Sequence, residues 1–114
     1  MRDQKFGIEI EMTGLTRGAA AQVLAGHFHT EAVHVGGGYD TYTVRDGQNR
    51  QWKLVSDASI DCQTRGSRTA GTAYSVEFVS PICKYEDIET IQECIRKLRQ
   101  AGARVNPSCG IHIH

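Results

Sequence analysis

Two short stretches near opposite ends of the sequence alternate isoleucine with ionisable residues. The first is Ile-Glu-Ile-Glu at residues 8–11, and the second is Ile-His-Ile-His at residues 111–114. Successive side chains of a β-strand point to opposite faces of the sheet, so burial of the isoleucines fixes the register of each strand. We therefore predict two strands that bury isoleucine on one face and present paired carboxylates or paired imidazoles on the other.

A third stretch places one more carboxylate in the same pattern, because Glu77 lies between Val76 and Phe78. Carboxylates with an imidazole form an oxygen-rich ligand set that suits Mg²⁺ or Mn²⁺, and a divalent cation would relieve the repulsion between neighbouring carboxylates. The alternative is an ordinary solvent-exposed face, since glutamate is mostly exposed in proteins. Only when the three strands are considered together is a metal site as well supported as an ordinary exposed face. The residues concerned are Glu9, Glu11, Glu77, His112 and His114.

Composition limits the chain to a small domain without an electrostatic signature. It has 114 residues, of which 39% are hydrophobic, and a formal net charge of +0. Such a chain forms one domain, and its balanced charge predicts neither a nucleic-acid partner nor binding to an anionic membrane. No apolar run approaches the roughly 20 residues that span a bilayer, and the N-terminus carries no signal-peptide core. We therefore predict a cytoplasmic location and leave the oligomeric state open.

The cysteines show no paired spacing that would mark a zinc finger or a redox motif. We predict that they are reduced, partly buried side chains, as is ordinary for free cysteine. A zinc site that combines the last cysteine with the two terminal histidines is a weaker alternative, because the spacing matches no familiar finger. The four cysteines are Cys62, Cys83, Cys94 and Cys109.

Hydrophobic periodicity predicts an α+β fold with more strands than helices. Thr16 is a suitable N-cap for a helix over residues 17–27, and apolar residues at spacings of three and four predict a second helix over residues 85–101. Hairpin signals outnumber crossover signals, so we predict an antiparallel or mixed sheet with two helices on one face. The predicted strands cover residues 5–12, 30–35, 39–44, 51–55, 73–79 and 109–114, and a loop is predicted over residues 61–72.

Four motifs in a fixed order give the chain a family resemblance. They are FGIEIEMT at residues 6–13, WKLVSDASI at residues 52–60, YSVEFVSP at residues 74–81, and Asn106 followed by SCGIHIH at residues 108–114. These motifs resemble those of the amidoligase family, which belongs to the carboxylate–amine ligases related to glutamine synthetase and glutamate–cysteine ligase. The resemblance covers essentially the whole chain, and it implies a fold similar to part of the glutamine synthetase-like catalytic domain.

The resemblance implies ATP-dependent formation of an amide bond. In such enzymes ATP phosphorylates a carboxylate, an amine attacks the resulting acyl phosphate, and divalent metals neutralise the charge on the phosphates. The implied cofactors are ATP and Mg²⁺ or Mn²⁺, and the implied substrates are a small-molecule or peptide carboxylate and an amine. Carried over residue by residue, the resemblance gives metal ligands at Glu9, Glu11, Glu77 and His112, a phosphate contact at His112, and catalytic positions at Asp57 and His114.

The chain departs from the family pattern in its length. Family members continue well beyond the second alternating stretch, whereas this sequence ends within it. We therefore expect residues 1–114 to be a single domain, the N-terminal fragment of a larger catalytic domain, with little or no ligase activity alone. Two other classes stay open: a metal-dependent hydrolase that uses the same His/Glu face, and a non-catalytic binding module. The residues do not identify the carboxylate or the amine.

Overall fold

The two alternating stretches form strands that lie side by side in one antiparallel sheet. The computed structural model describes residues 3–114. Its six strands are ordered β2-β3-β4-β5-β1-β6 and two helices pack on one face, so the predicted α+β fold is confirmed, with an antiparallel rather than a mixed sheet. The elements are β1 Ile8–Met12, α1 Arg17–Phe28, β2 Ala32–Gly36, β3 Thr41–Arg45, β4 Gln51–Val55, β5 Val76–Val79, α2 Ile88–Gln100 and β6 Ile111–Ile113.

Strand β1 lies between β5 and β6, and its register determines what the sheet presents to solvent. Glu11 is paired with Glu77 of β5, and Glu9 is paired with His112 of β6. Residues directly opposite each other on antiparallel strands lie on the same face of the sheet. The register therefore places these four side chains on one face.

The other face of the sheet packs against both helices and forms the core. Trp52 of β4 and Phe78 of β5 are fully buried and stack with their ring centroids 5.6 Å apart. The ring of Phe28 at the end of α1 lies 5.5 Å from that of Trp52. Leu24 of α1 and Leu98 of α2 are also fully buried. Burying each large apolar side chain contributes about 1.5–3 kcal/mol, so this layer holds the helices on the sheet.

Both predicted helices form, and their ends follow from capping chemistry. Helix α1 begins after Thr16, whose hydroxyl accepts a hydrogen bond of 3.1 Å from an amide of the first turn, as predicted. Helix α2 begins at Ile88 rather than at residue 85, because Tyr85–Asp87 form a 3₁₀ turn in which the Lys84 amide donates to the Asp87 carboxylate. Neither helix in the described part of the chain has the length and apolarity to cross a membrane.

Two parts of the predicted strand pattern are wrong. Strand β5 begins at Val76 rather than at residue 73, because Thr72–Tyr74 form a 3₁₀ turn. The isoleucines of β6 are exposed rather than buried, with 63% of Ile111 and 70% of Ile113 accessible. Strand β6 is the last strand of the sheet, where the helix layer leaves the isoleucine face open, so its register comes from pairing with β1. The ends of the other predicted strands shift by at most three residues.

A buried carboxylate closes the turn between β3 and β4. Asp46 accepts hydrogen bonds from the amides of Gln48 and Arg50, from the Arg50 guanidinium and from the Trp52 indole, at 2.9 to 3.0 Å. Burial alone would raise the pKa of Asp46, but these hydrogen bonds and the Arg50 charge outweigh it, so the pKa lies below its ordinary value. The turn is thereby tied to the core through Trp52.

We predict that Asp46→Asn lowers the free energy of unfolding near neutral pH by about 2 kcal/mol, because hydrogen bonds to a buried ionised acceptor are lost. Since the pKa of Asp46 is lower in the folded than in the unfolded chain, its contribution is present at neutral pH and declines as the pH falls below about 4. Urea unfolding at neutral and acidic pH measures both effects, with the exposed Asp61→Asn as the control. Equal losses in the two variants at neutral pH would contradict this account.

Candidate functional site

The sheet face opposite the helices carries the ionisable residues predicted from the sequence. Glu9 and Glu11 come from β1, Glu77 from β5 and His112 from β6. Asp57 joins them from the loop that follows β4. Residues that are far apart in the sequence therefore meet on one surface, which we call the open face.

Three carboxylates form a close group on the open face. One oxygen from each of Glu11, Asp57 and Glu77 lies within 4.8 Å of the other two. Glu11 is only 7% exposed, whereas Asp57 and Glu77 are partly buried. The three oxygens are close enough to converge on one cation after small side-chain movements. We call these three residues the carboxylate group.

Hydrogen bonds within its loop hold Asp57 in the carboxylate group. Its Oδ1 atom accepts one from the Ser59 amide at 2.9 Å and one from the Ser59 hydroxyl at 2.6 Å. The Asp57 amide in turn donates to the hydroxyl oxygen of Ser75 at 3.2 Å. A carboxylate held by its own loop in this way has a defined direction before any ligand arrives.

A buried guanidinium fixes the segment that leads into β5. Arg17 is 7% exposed, and its Nη1 donates to the carbonyls of Thr72 and Ser75 at 2.8 and 2.7 Å, while its Nη2 donates to Asp40 at 2.8 Å. One side chain thus ties α1 to the β2–β3 loop and to the entry of β5. The positioning contacts of Arg17, Ser59 and Ser75 are not predicted from the sequence, because hydrogen bonds within and between loops leave no periodic pattern.

The segment before β6 holds another member of the carboxylate group. The Gly110 amide donates to Oε1 of Glu11 at 2.8 Å, which joins residues 99 positions apart in the sequence. The Glu11 amide donates back to the Gly110 carbonyl at 3.0 Å. Formation of β6 therefore orients a carboxylate of β1.

The closeness of the carboxylates changes their protonation. Burial raises the pKa of Glu77 to about 7, and a hydrogen bond with Asp57 and the negative charge of Glu9 add to this shift. Hydrogen bonds from Ser59 lower the pKa of Asp57 to about 2, in spite of its partial burial. Burial also raises the pKa of Glu11. With a pKa of about 7, Glu77 is protonated in part of the molecules near neutral pH, and a divalent cation would compete with that proton.

The two histidines lie beside the carboxylate group. The Nε2 atom of His114 is 3.3 Å from Oε2 of Glu9, and both side chains are accessible to solvent. His112 is paired with Glu9 across the strands and is close enough to act electrostatically on Glu11. Imidazoles and carboxylates are thus neighbours on β1 and β6.

The structure brings the predicted site residues together but groups them differently from the sequence assignment. Within residues 3–114, the close group contains the predicted metal ligands Glu11 and Glu77 together with Asp57, which was predicted as a catalytic residue. The other two predicted ligands, Glu9 and His112, lie next to this group. The metal roles of Glu9, Glu11, Glu77 and His112 stay predictions, as do the catalytic roles of Asp57 and His114.

The donor set fits a hard divalent cation. Mg²⁺ prefers six oxygen ligands and usually takes one or two carboxylates with water and phosphate oxygens. The carboxylate group supplies anionic oxygens, and the open face leaves space for the remaining ligands. A nearby imidazole also suits Mn²⁺, whereas zinc would prefer two or three histidines with at most one carboxylate.

We predict that Glu77→Gln stabilises the metal-free chain by about 1–2 kcal/mol at about pH 8. The pKa of Glu77 is about 7 in the folded chain, above that of the unfolded chain, so its ionisation opposes folding as the pH rises through the window between the two values. The gain should vanish at acidic pH, where the carboxyl group is protonated in both states. Urea unfolding in the presence of a chelator measures the difference, with the exposed Glu31→Gln as the control. A Glu77→Gln variant that is less stable than the unaltered chain at this alkaline pH would contradict the prediction.

Comparison with known proteins agrees with the motifs of the sequence. A family model described as "Putative amidoligase enzyme" matches residues 2–114. The match spans every strand and helix of the fold, together with all the residues of the open face. Comparisons with curated proteins and with solved structures find no match. The chain therefore belongs to the amidoligase enzyme family.

Proposed function

We propose that this chain carries the metal-binding part of an ATP-dependent carboxylate–amine ligase. The observation that carries the proposal is the convergence of Glu11, Asp57 and Glu77, from three separate segments, on the open face. Family membership supports the reaction class, which is formation of an amide bond. Such a reaction needs ligands for the divalent ions that accompany ATP, and carboxylates can supply them without a P-loop.

The proposed reaction has two steps. An oxygen of the substrate carboxylate attacks the terminal phosphorus of ATP, and ADP leaves. The amine nitrogen then attacks the carbonyl carbon of the acyl phosphate, inorganic phosphate leaves, and the nitrogen loses a proton. Bound Mg²⁺ or Mn²⁺ would neutralise the charge that develops on the phosphate oxygens.

The residues of the open face would divide the remaining tasks. The carboxylate group would hold the divalent ion, with Glu9 and His112 as additional contacts to the ion or the phosphates. His114 lies 3.3 Å from Glu9, so a neutral imidazole there would accept the proton of the amine, and the carboxylate would stabilise the imidazolium. Ser59 would keep Asp57 ionised and ready to bind a cation.

The same proposal requires further segments or chains to complete the active site. In the described part of the chain no layer covers the open face, and phosphoryl transfer to a carboxylate needs exclusion of water. Three carboxylates also leave part of an octahedral ligand set to be supplied. We expect residues 1–114 to act in the cytoplasm together with the segments or chains that complete the site, and to show little or no ligase activity alone.

Binding of a fluorescent ATP analogue tests the proposal on this chain. We expect fluorescence anisotropy to show binding that requires Mn²⁺, because the carboxylate group repels phosphates unless a cation lies between them. Glu11→Gln should weaken this binding by about tenfold or more, since a charged ligand is lost. Glu31→Gln removes an exposed glutamate outside the carboxylate group and should leave the binding unchanged.

Two results would count against the proposed ligase function. Nucleotide binding that is independent of Mn²⁺, or equal in Glu11→Gln and the unaltered chain, would contradict the proposed use of the carboxylate group. Mn²⁺ binding without nucleotide binding, combined with Mn²⁺-dependent hydrolysis of a phosphate ester, would favour the hydrolase alternative.

A further inference from the structure

The open face continues from the carboxylate group across β5 to β4. Lys53 of β4 is paired with Val79 of β5, and Val79 is paired with Glu9 of β1, so the three lie in one row across the face. A pocket of about 640 Å³ lies along this row. Its lining includes Tyr39, Lys53, Val55 and Val79, together with the acidic residues Glu9, Asp57 and Glu77.

Lys53 is an exposed ammonium group that lines the same pocket as the carboxylates without pairing with them. Among the described residues, the ion pairs of the open face join Glu9 to His114, and none includes Lys53. Within the carboxylate group, Asp57 instead forms a hydrogen bond with Glu77. An unpaired lysine in a pocket offers a binding point for an anionic group of a ligand.

Apolar side chains form the wall around Lys53. Tyr39 is 68% exposed, and Val55 and Val79 are partly buried on the same face of the sheet as Lys53. An exposed aromatic ring beside an aliphatic surface is suited to contact a flat or apolar body. The pocket thus combines one cation with an apolar wall.

The loop that carries Tyr39 is fixed on both sides. The Ser56 amide donates to the Tyr39 carbonyl at 2.9 Å. The next residue, Asp40, accepts a hydrogen bond of 2.8 Å from Arg17 and lies 2.6 Å from Nε2 of His34. A wall that is held in place before a ligand binds reduces the entropy cost of binding. Arg17 therefore helps to hold both the Tyr39 loop and the segment next to Asp57.

We propose that this pocket binds the acyl substrate of the ligase, and that this substrate is a monocarboxylic acid with an apolar or aromatic body. The inference rests on the proposed function and names its substrate class. Lys53 would bind the carboxylate, and Tyr39 and Val55 would contact the body, so that the reacting oxygen lies beside the carboxylate group. A single lysine balances a single carboxylate, and the wall formed by Tyr39, Val55 and Val79 suits an apolar or aromatic body rather than a polyphosphate.

Titration with 3-phenylpropionate, followed by NMR in the absence of metal and nucleotide, tests the inference. We expect saturable shifts at residues 38–39, 53–55 and 79, with an affinity of about 1 mM. The neutral 3-phenylpropionamide should bind about tenfold more weakly, because it forms no charge-assisted hydrogen bond with Lys53. Acetate, which lacks the apolar body, should bind more weakly still.

Two variants assign these effects to the pocket. Lys53→Met should abolish the preference for the acid over the amide while leaving amide binding unchanged. Tyr39→Ala should weaken binding of both compounds. Lys97→Met, which removes an exposed cation of α2, should leave the preference intact. All three positions are exposed, and unchanged urea unfolding of the variants would exclude a loss of fold as the cause.

Parallel titrations with Mn²⁺ and with Mn²⁺·ATP separate this inference from the proposed function. If the chain binds Mn²⁺ but not 3-phenylpropionate, or if Lys53→Met keeps the preference for the acid, the inference is overturned and the metal proposal stands. Weaker Mn²⁺·ATP binding by Lys53→Met, with acid binding unchanged, would assign the pocket to the nucleotide and also overturn the inference. Acid binding by a chain that does not bind Mn²⁺ would support the pocket and contradict the proposed function.

Discussion

The pairing of β1 with a strand on each side is the constraint on which the candidate site depends. A slip of one residue would turn the isoleucines of β1 towards solvent and its glutamates towards the helices. Packing of Ile10 and Phe78, which are opposite each other in the core, therefore also sets Glu11 opposite Glu77 on the open face. The packing that forms the core therefore also aligns the carboxylates.

Ionisation of neighbouring, partly buried carboxylates is unfavourable in the carboxylate group, and hydrogen bonds from nearby residues reduce this cost. The pKa of Glu77, raised to about 7 by burial and by the nearby carboxylates, reflects the cost of ionising this group. Ser59 and Gly110 lower that cost by donating hydrogen bonds to Asp57 and Glu11. Perturbed carboxyl groups of this kind are frequent at functional sites, where stability is given up for ligand binding. A proton and a divalent cation would both relieve the strain, so pH and metal binding are linked here.

The open face and both helices could be predicted from the sequence because alternation, an N-cap and a helical stripe are local patterns. Alternation could not show that Asp57 lies with Glu11 and Glu77, since its position depends on the path of a loop and on Ser59. Only the family motif drew attention to Asp57. The exposure of Ile111 could not be predicted either. How far the helices extend over the sheet depends on tertiary packing rather than on the sequence pattern of the strand itself.

Calorimetric titration with Mn²⁺ tests most directly whether distant strands share one metal site. The unaltered chain, Glu11→Gln, Glu77→Gln and the double variant would be compared at about pH 8, where proton competition is weak. A shared site predicts one saturable binding event that each single substitution weakens by about tenfold or more, with a combined loss smaller than the sum because both residues hold the same ion. Binding that persists undiminished in the double variant would contradict a shared site.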